Sequence, residues 1–174
     1  MLALGGDNSI PVYAAIGELL ASRAELQTMR KTDNIGQLRN SVAALHRAPH
    51  RHIAPFANLL LAEVEFATGD FVVSLATVDS VLKLKGESGI GRETGDAYRL
   101  CGDLVARLGC SPSAPVVHCY RTAVNVARKQ GARALDLRAA FSFARFQQTT
   151  NLMRQSTLSP AALRVSQAQR TLPP

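Results

Sequence analysis

Apolar residues spaced three and four apart, cut at intervals by glycine or proline, constrain this chain more than any other feature. Val12, Ala15, Ile16, Leu19, Leu20, Leu26 and Met29 form one such stripe, the pattern of a helix with one face turned to a core. Ser9 and Pro11 suit its start, and it should run to about Lys31. Thr32-Asp33-Asn34 then reads as a turn and cap. Ile35, Leu38, Val42 and Leu45 make a second stripe, which ends near Ala48-Pro49 because the residue before a proline avoids the helical region.

The same reading continues along the chain. A third helix is expected over residues 50–68, with Ile53, Phe56, Leu59, Leu60, Ala62, Val64 and Phe66 on its stripe and Pro55 near its start. Gly69-Asp70 closes it and opens a fourth, carrying Phe71, Leu75, Val78, Val81, Leu82 and Leu84, which should stop in the glycine-rich loop at residues 86–91. A fifth spans about 93–108, with Tyr98, Cys101, Leu104, Val105 and Leu108 inside. Residues 111–115 are a linker. A sixth spans about 115–130, with Val117, Tyr120, Val124 and Ala127 facing in, and Gly131 is its C-cap. A seventh covers about 133–148, with Leu135, Leu137, Ala140, Phe141 and Ala144 inside. No strand is expected. The domain should therefore occupy residues 11–150, between a flexible start at 1–10 and a poorly ordered or short-helix tail at 151–174.

Composition agrees. Hydrophobic residues are 47% of the 174, but aromatics only 5% and Trp is absent, so the core must be Leu, Ala, Val and Ile, a helix-forming mixture. The formal net charge of +7 comes from 20 Lys and Arg against 13 Asp and Glu. These positive residues are scattered rather than run together, which argues for a solvated surface and against nucleic acid. Binding nucleic acid through that surface is the alternative reading. Three cysteines, an odd number, sit in or beside helical patterns, so a reducing, cytoplasmic setting is expected rather than a disulfide framework. The opening residues lack the basic n-region of a signal peptide, and no apolar run is long enough for a membrane span.

An internal repeat is visible. Residues 60–69 and 100–109 carry a small residue (Ala62, Gly102), an acid (Glu63, Asp103) and a turn glycine (Gly69, Gly109) at matching places, about 40 residues apart. In the second unit Tyr98 takes the large aromatic place and Cys101-Gly102 the Leu-Gly place. Tyr120 and Ala123 take the large and small places of the paired helix. This resembles the tetratricopeptide pattern, with a unit longer than its usual ~34 residues. The resemblance implies an all-α, tetratricopeptide-like right-handed stack of antiparallel helix pairs, about seven helices in all. Small residues such as Gly102 and Ala123 would let paired helices approach closely.

Residues 120–145 are more specific. A helix ending in Ala127-Arg128-Lys129-Gln130-Gly131-Ala132, followed by Leu135-Asp136-Leu137-Arg138-Ala139-Ala140, resembles a segment of bacterial regulators that join a nucleotide-cyclase or transcription-activator domain to an ATPase module and a C-terminal tetratricopeptide-like region. Asp136 stands where that segment usually has Glu. The likeness extends over about residues 30–146 and departs at Phe146. It implies a regulatory interaction module without the catalytic domains, a detached fragment of a larger signalling regulator.

Nothing in the chain supplies catalytic machinery. There is no G-x-x-x-x-G-K-[ST] phosphate loop. Glu63 and Glu65 are two apart on a helix and point to different faces, so they do not form an acid–base pair. His46, His50 and His52 have no acid or Cys nearby in sequence and read as a solvated turn rather than a metal site. Cys101 and Cys119 read as small core residues. No catalytic, cofactor or metal residue is assigned, and the chain is not expected to be an enzyme. The partner should be a protein or peptide, or another copy of the chain meeting an uncapped helical face, with no membrane involved. Expected contacts on the concave side and the basic turn are Asn58, Glu65, Tyr98, Arg99, Arg128 and Arg138.

Overall fold

The computed structural model describes residues 11–27, 35–47, 53–88, 91, 93–109 and 114–157. Among these the fold is all-helical, with no strand and seven α-helices: α1 (Pro11–Gln27), α2 (Ile35–Arg47), α3 (Ala54–Thr68), α4 (Phe71–Ser88), α5 (Thr94–Arg107), α6 (Ala114–Lys129) and α7 (Arg133–Thr157). None of these helices is long and apolar enough to cross a membrane.

Two of the turns are built alike. Gly69 ends α3 at φ 93°, where its N–H donates to the Phe66 carbonyl and the Asp70 N–H donates to Glu65. Gly131 follows α6 at φ 65°, its N–H donating to Arg128 while that of Ala132 donates to Ala127. These paired bonds satisfy carbonyls that a helix end leaves open, and the left-handed residue between them favours glycine. Each turn is only a few residues long, so α4 must fold back beside α3, and α7 beside α6.

Every helix packs on the next one in the chain. The odd-numbered helices also touch in succession, α1 on α3, α3 on α5 and α5 on α7, while no two even-numbered helices meet among the described residues. The helix α3 is therefore enclosed on two sides. Its Ala57, Leu60, Leu61 and Val64 join Leu19 of α1 and Leu38, Val42 and Leu45 of α2 in one core. Its Leu59 and Ala62 join Val78 and Val81 of α4 and Ala97, Leu100 and Leu104 of α5 in another.

The α5–α6 contact depends on Gly102. A Cβ placed there would lie 2.8 Å from Cε1 of Tyr120 and 3.0 Å from its Cδ1 and Cζ. The tyrosine ring is not free to retreat. It stacks on Phe143 at 5.5 Å, meets Phe146 at 5.9 Å, and its hydroxyl donates to Asp103 at 2.7 Å.

Several sequence expectations shift. The helix α4 continues through Gly86 to Ser88, and α7 runs past its expected end near Gln148, and past the boundary set at Thr150, to Thr157. Thr149 and Thr150 are accommodated because their hydroxyls donate back to the carbonyls of Arg145 and Phe146. The rotation of α7 also differs from expectation. Leu137 and Phe141, expected inside, are 72% and 68% exposed, and Ala140 and Ala144 are exposed too; Ala139 and Ser142 are buried instead. Contacts made by Arg138, Phe143 and Phe146 fix this rotation. Phe56 of α3 is exposed as well. The expected flexible start, the His50 and His52 turn and the tail from residue 158 lie outside the described residues.

Gly102→Ala should destabilise the fold by about 1–2 kcal/mol in denaturant melts, because overpacking against a pinned ring outweighs the roughly 1 kcal/mol that alanine gains in a helix. Combining it with Tyr120→Leu should cost less than the sum of the two single changes.

Candidate functional site

Asp96, Arg99 and Asp103 recur at i, i+3 and i+7 on α5, so they share one helix face. That face is turned inward. Arg99 is 8% exposed, and Asp96 and Asp103 are also buried. The Arg99 guanidinium donates through Nε to Asp96, through Nη1 to Asp103 at 2.7 Å, and through Nη2 to Glu63 of α3 at 3.1 Å. From α7, Arg138 donates to the other oxygen of Asp96 at 2.9 Å and to Glu63 at 3.0 Å. Arg145 lies 3.8 Å from Asp103. Three arginines thus face three carboxylates, and the cluster is formally neutral.

The balance matters because an isolated buried charge costs several kcal/mol. Burial by itself would push the Arg99 guanidinium down; Asp96, Asp103 and Glu63 outweigh it and hold Arg99 above its usual range. Tyr120 is pushed up, first by burial and then by the adjacent Asp103 carboxylate, so its phenol keeps its proton well above the usual tyrosine range.

A second, smaller ion cluster lies on the other side of α3. Glu65, 1% exposed, accepts from Nε of Arg39 of α2 at 2.8 Å and from the Thr77 hydroxyl of α4 at 2.8 Å. Arg39 also reaches Asp70 at 3.1 Å. The Glu65 hydrogen bond raises Arg39 against a smaller lowering by burial.

The expected partner-binding residues fall into two groups. Asn58, Glu65 and Arg99 are buried, so a surface contact is not open to them. The Asn58 amide faces the Ser80 hydroxyl at 3.5 Å, and the other two hold ion pairs inside the fold. Tyr98 and Arg138 are half-buried, with Arg138 sharing its acids with Arg99. Arg128 is exposed and pairs with Asp136 across the α6–α7 turn at 3.1 Å. Glu63, Asp96, Asp103 and Tyr120 were not singled out as a site by sequence reasoning, although the Asp96/Arg99/Asp103 spacing was there to read.

Beside the network lies a cavity of about 480 Å³, with Phe66, Tyr120, Phe146 and Met153 among its apolar walls and Arg107 and Arg145 among its polar ones. Among the described residues no group of three or more His, Cys, Asp or Glu is placed to hold a metal. No protein-family model, curated protein or solved structure matches the chain.

Two predictions separate the parts of the network. Arg99→Met leaves three buried carboxylates short of a partner and should cost about 3–5 kcal/mol in chemical denaturation. Arg138→Met, at a half-exposed position, should cost only about 1 kcal/mol. For Tyr120 the raised pKa fixes the sign. Its contribution is complete below the unfolded tyrosine value of about 10 and is lost as pH climbs towards the folded value, because only the unfolded chain releases the proton. Tyr120→Phe should flatten that alkaline decline in melts taken from pH 9 upward.

Proposed function

We propose that this chain is a non-catalytic protein–protein interaction module with a regulatory role, a tetratricopeptide-like stack of helix pairs that takes up a helix of a partner protein. The succession of odd-to-odd helix contacts supports the stack, since nearest-neighbour packing of repeated pairs is how such arrays are built. The observation that carries the docking reading is the outer face of α7. Ala134, Leu137, Ala140, Phe141, Ala144, Gln148 and Leu152 are all exposed and fall on one stripe. No carboxylate lies on the stripe; the exposed charged residues of α7 beside it are Arg133 and Arg145, and the half-buried Asp136 next to Leu137 is paired with Arg128. A contiguous apolar strip of this kind on a helix marks an interaction surface, and amphipathic helices read such strips through anchors three and four apart. The basic margins favour a partner helix with acidic flanks. They disfavour a second copy, whose own arginines would meet them.

A labelled, acidic amphipathic peptide with leucines three and four apart should bind the chain in fluorescence anisotropy, and its basic counterpart should bind at least about tenfold more weakly. Leu137→Glu with Phe141→Glu should abolish the binding and leave the thermal midpoint within a few degrees of wild type, both sites being exposed. Equal binding of the two peptides, or no effect of the double change, would sink the proposal. Light scattering that finds a stable dimer abolished by the same double change would make the partner a second copy.

A further inference from the structure

The helices α5 and α6 carry Cys101 and Cys119, whose sulfurs lie 3.4 Å apart in a thiol–thiol hydrogen bond. Both are free thiols; Cys101 is half-buried and Cys119 is 8% exposed. Their neighbours in the chain, Gly102 and Tyr120, pack against each other across the same two helices, with no room for a Cβ between them. A disulfide needs its sulfurs at about 2.0 Å, so closure from 3.4 Å demands a movement of about 1.4 Å. We propose that Cys101 and Cys119 form a redox-sensitive pair which a peroxide converts into a disulfide, clamping α5 to α6.

The two thiols are not equivalent. The hydrogen bond between the two sulfurs, and then burial, push Cys101 up, whereas the same bond pulls Cys119 down against an opposing effect of burial. Asp79 of α4 raises both. Thiolate character therefore falls to Cys119, and the thiolate is the form that peroxide oxidises. In the first step the Cys119 sulfur attacks one peroxide oxygen and the O–O bond breaks. Cys119 becomes a sulfenic acid, and hydroxide takes a proton to leave as water. In the second step the Cys101 sulfur attacks the Cys119 sulfur and the S–OH bond breaks. The S–S bond forms, and the displaced hydroxide leaves as water with the Cys101 proton. Two thiols and one hydrogen peroxide thus give one disulfide and two waters, with two electrons passing from sulfur to oxygen. A molecule as small as hydrogen peroxide suits a thiol as covered as Cys119.

The third cysteine, Cys110, lies outside the described residues and is removed in the test by Cys110→Ser in the full chain. After mild hydrogen peroxide, tryptic mapping without reductant should recover peptides 100–107 and 108–121 as one linked species. Dithiothreitol should separate them. The oxidised chain should melt about 5–10 °C above the reduced one, as expected for a bond closing a loop of this length. In Cys101→Ser the resolving thiol is gone, and Cys119 should instead advance to sulfinic acid. Recovery of both cysteines of the parent chain as free thiols, or as separate sulfinic acids with no linked peptide, would overturn the proposal. A link found only between molecules, or a melting point lowered by oxidation, would overturn it too.

Discussion

The buried guanidinium of Arg99 is the constraint from which most of the arrangement follows. A cation taken out of water must find its hydrogen-bond acceptors inside the fold or forfeit several kcal/mol. Two of its acceptors, Asp96 and Asp103, come from its own helix, one turn before and one turn after. The third, Glu63, comes from α3. Once Arg99 is placed, α5 can neither rotate nor draw away from α3 without stranding a charge. The acids then recruit further partners. Glu63 and Asp96 take Arg138 from α7, and Asp103 takes the Tyr120 hydroxyl from α6. One residue thereby orients three neighbouring helices. Hydrophobic burial supplies most of the driving force but, being non-directional, cannot do this.

Tyr120 links that polar constraint to close packing. Its hydroxyl belongs to the network, its ring lies against Gly102, and its other contacts are Phe143 and Phe146. Aromatics are only 5% of the chain, yet three of them meet at the junction of α5, α6 and α7. The remaining core is mostly aliphatic and alanine-rich, which suits closely spaced helices. Glu63 and Glu65, two positions apart on α3, divide the polar work. The first faces α5 and α7, and the second faces α2 and α4. The helix α3 is thus fixed from both sides by charge as well as by its two apolar clusters.

Helix content was legible in the sequence because periodicity and turn glycines are local signals. Gly69 and Gly131 fall where expected and adopt the left-handed backbone that marks them as stops. The end of α7 was misjudged because the polar stretch after Gln148 resembles a tail, whereas its threonines bond back to their own helix. The network was harder to see. A helix with Asp, Arg and Asp on one face ordinarily turns that face to water, and only the proximity of Glu63, 36 positions before Arg99, allows it to be buried. That is a tertiary fact with no local trace. Arg99, expected on the concave side, is enclosed for this reason. Glu65 is enclosed from the opposite side of α3, between Arg39 of α2 and Thr77 of α4.

The two faces of α7 show the same limit from the other side. Leu137 and Phe141 have the spacing of core residues, and nothing local distinguishes a core stripe from a docking stripe. What decides is the opposite face, where Ala139, Ser142, Phe143 and Phe146 pack and Arg138 pairs. Because Arg138 must reach Asp96 and Glu63, and Phe143 must stack on Tyr120, the rotation of α7 is set before its apolar stripe has any say. The stripe is then left pointing outward as a consequence of the buried charges. Exposed aliphatic and aromatic surface is itself unfavourable in water. Its persistence at positions the network forces outward is the exposure that the proposed docking of a partner helix would relieve.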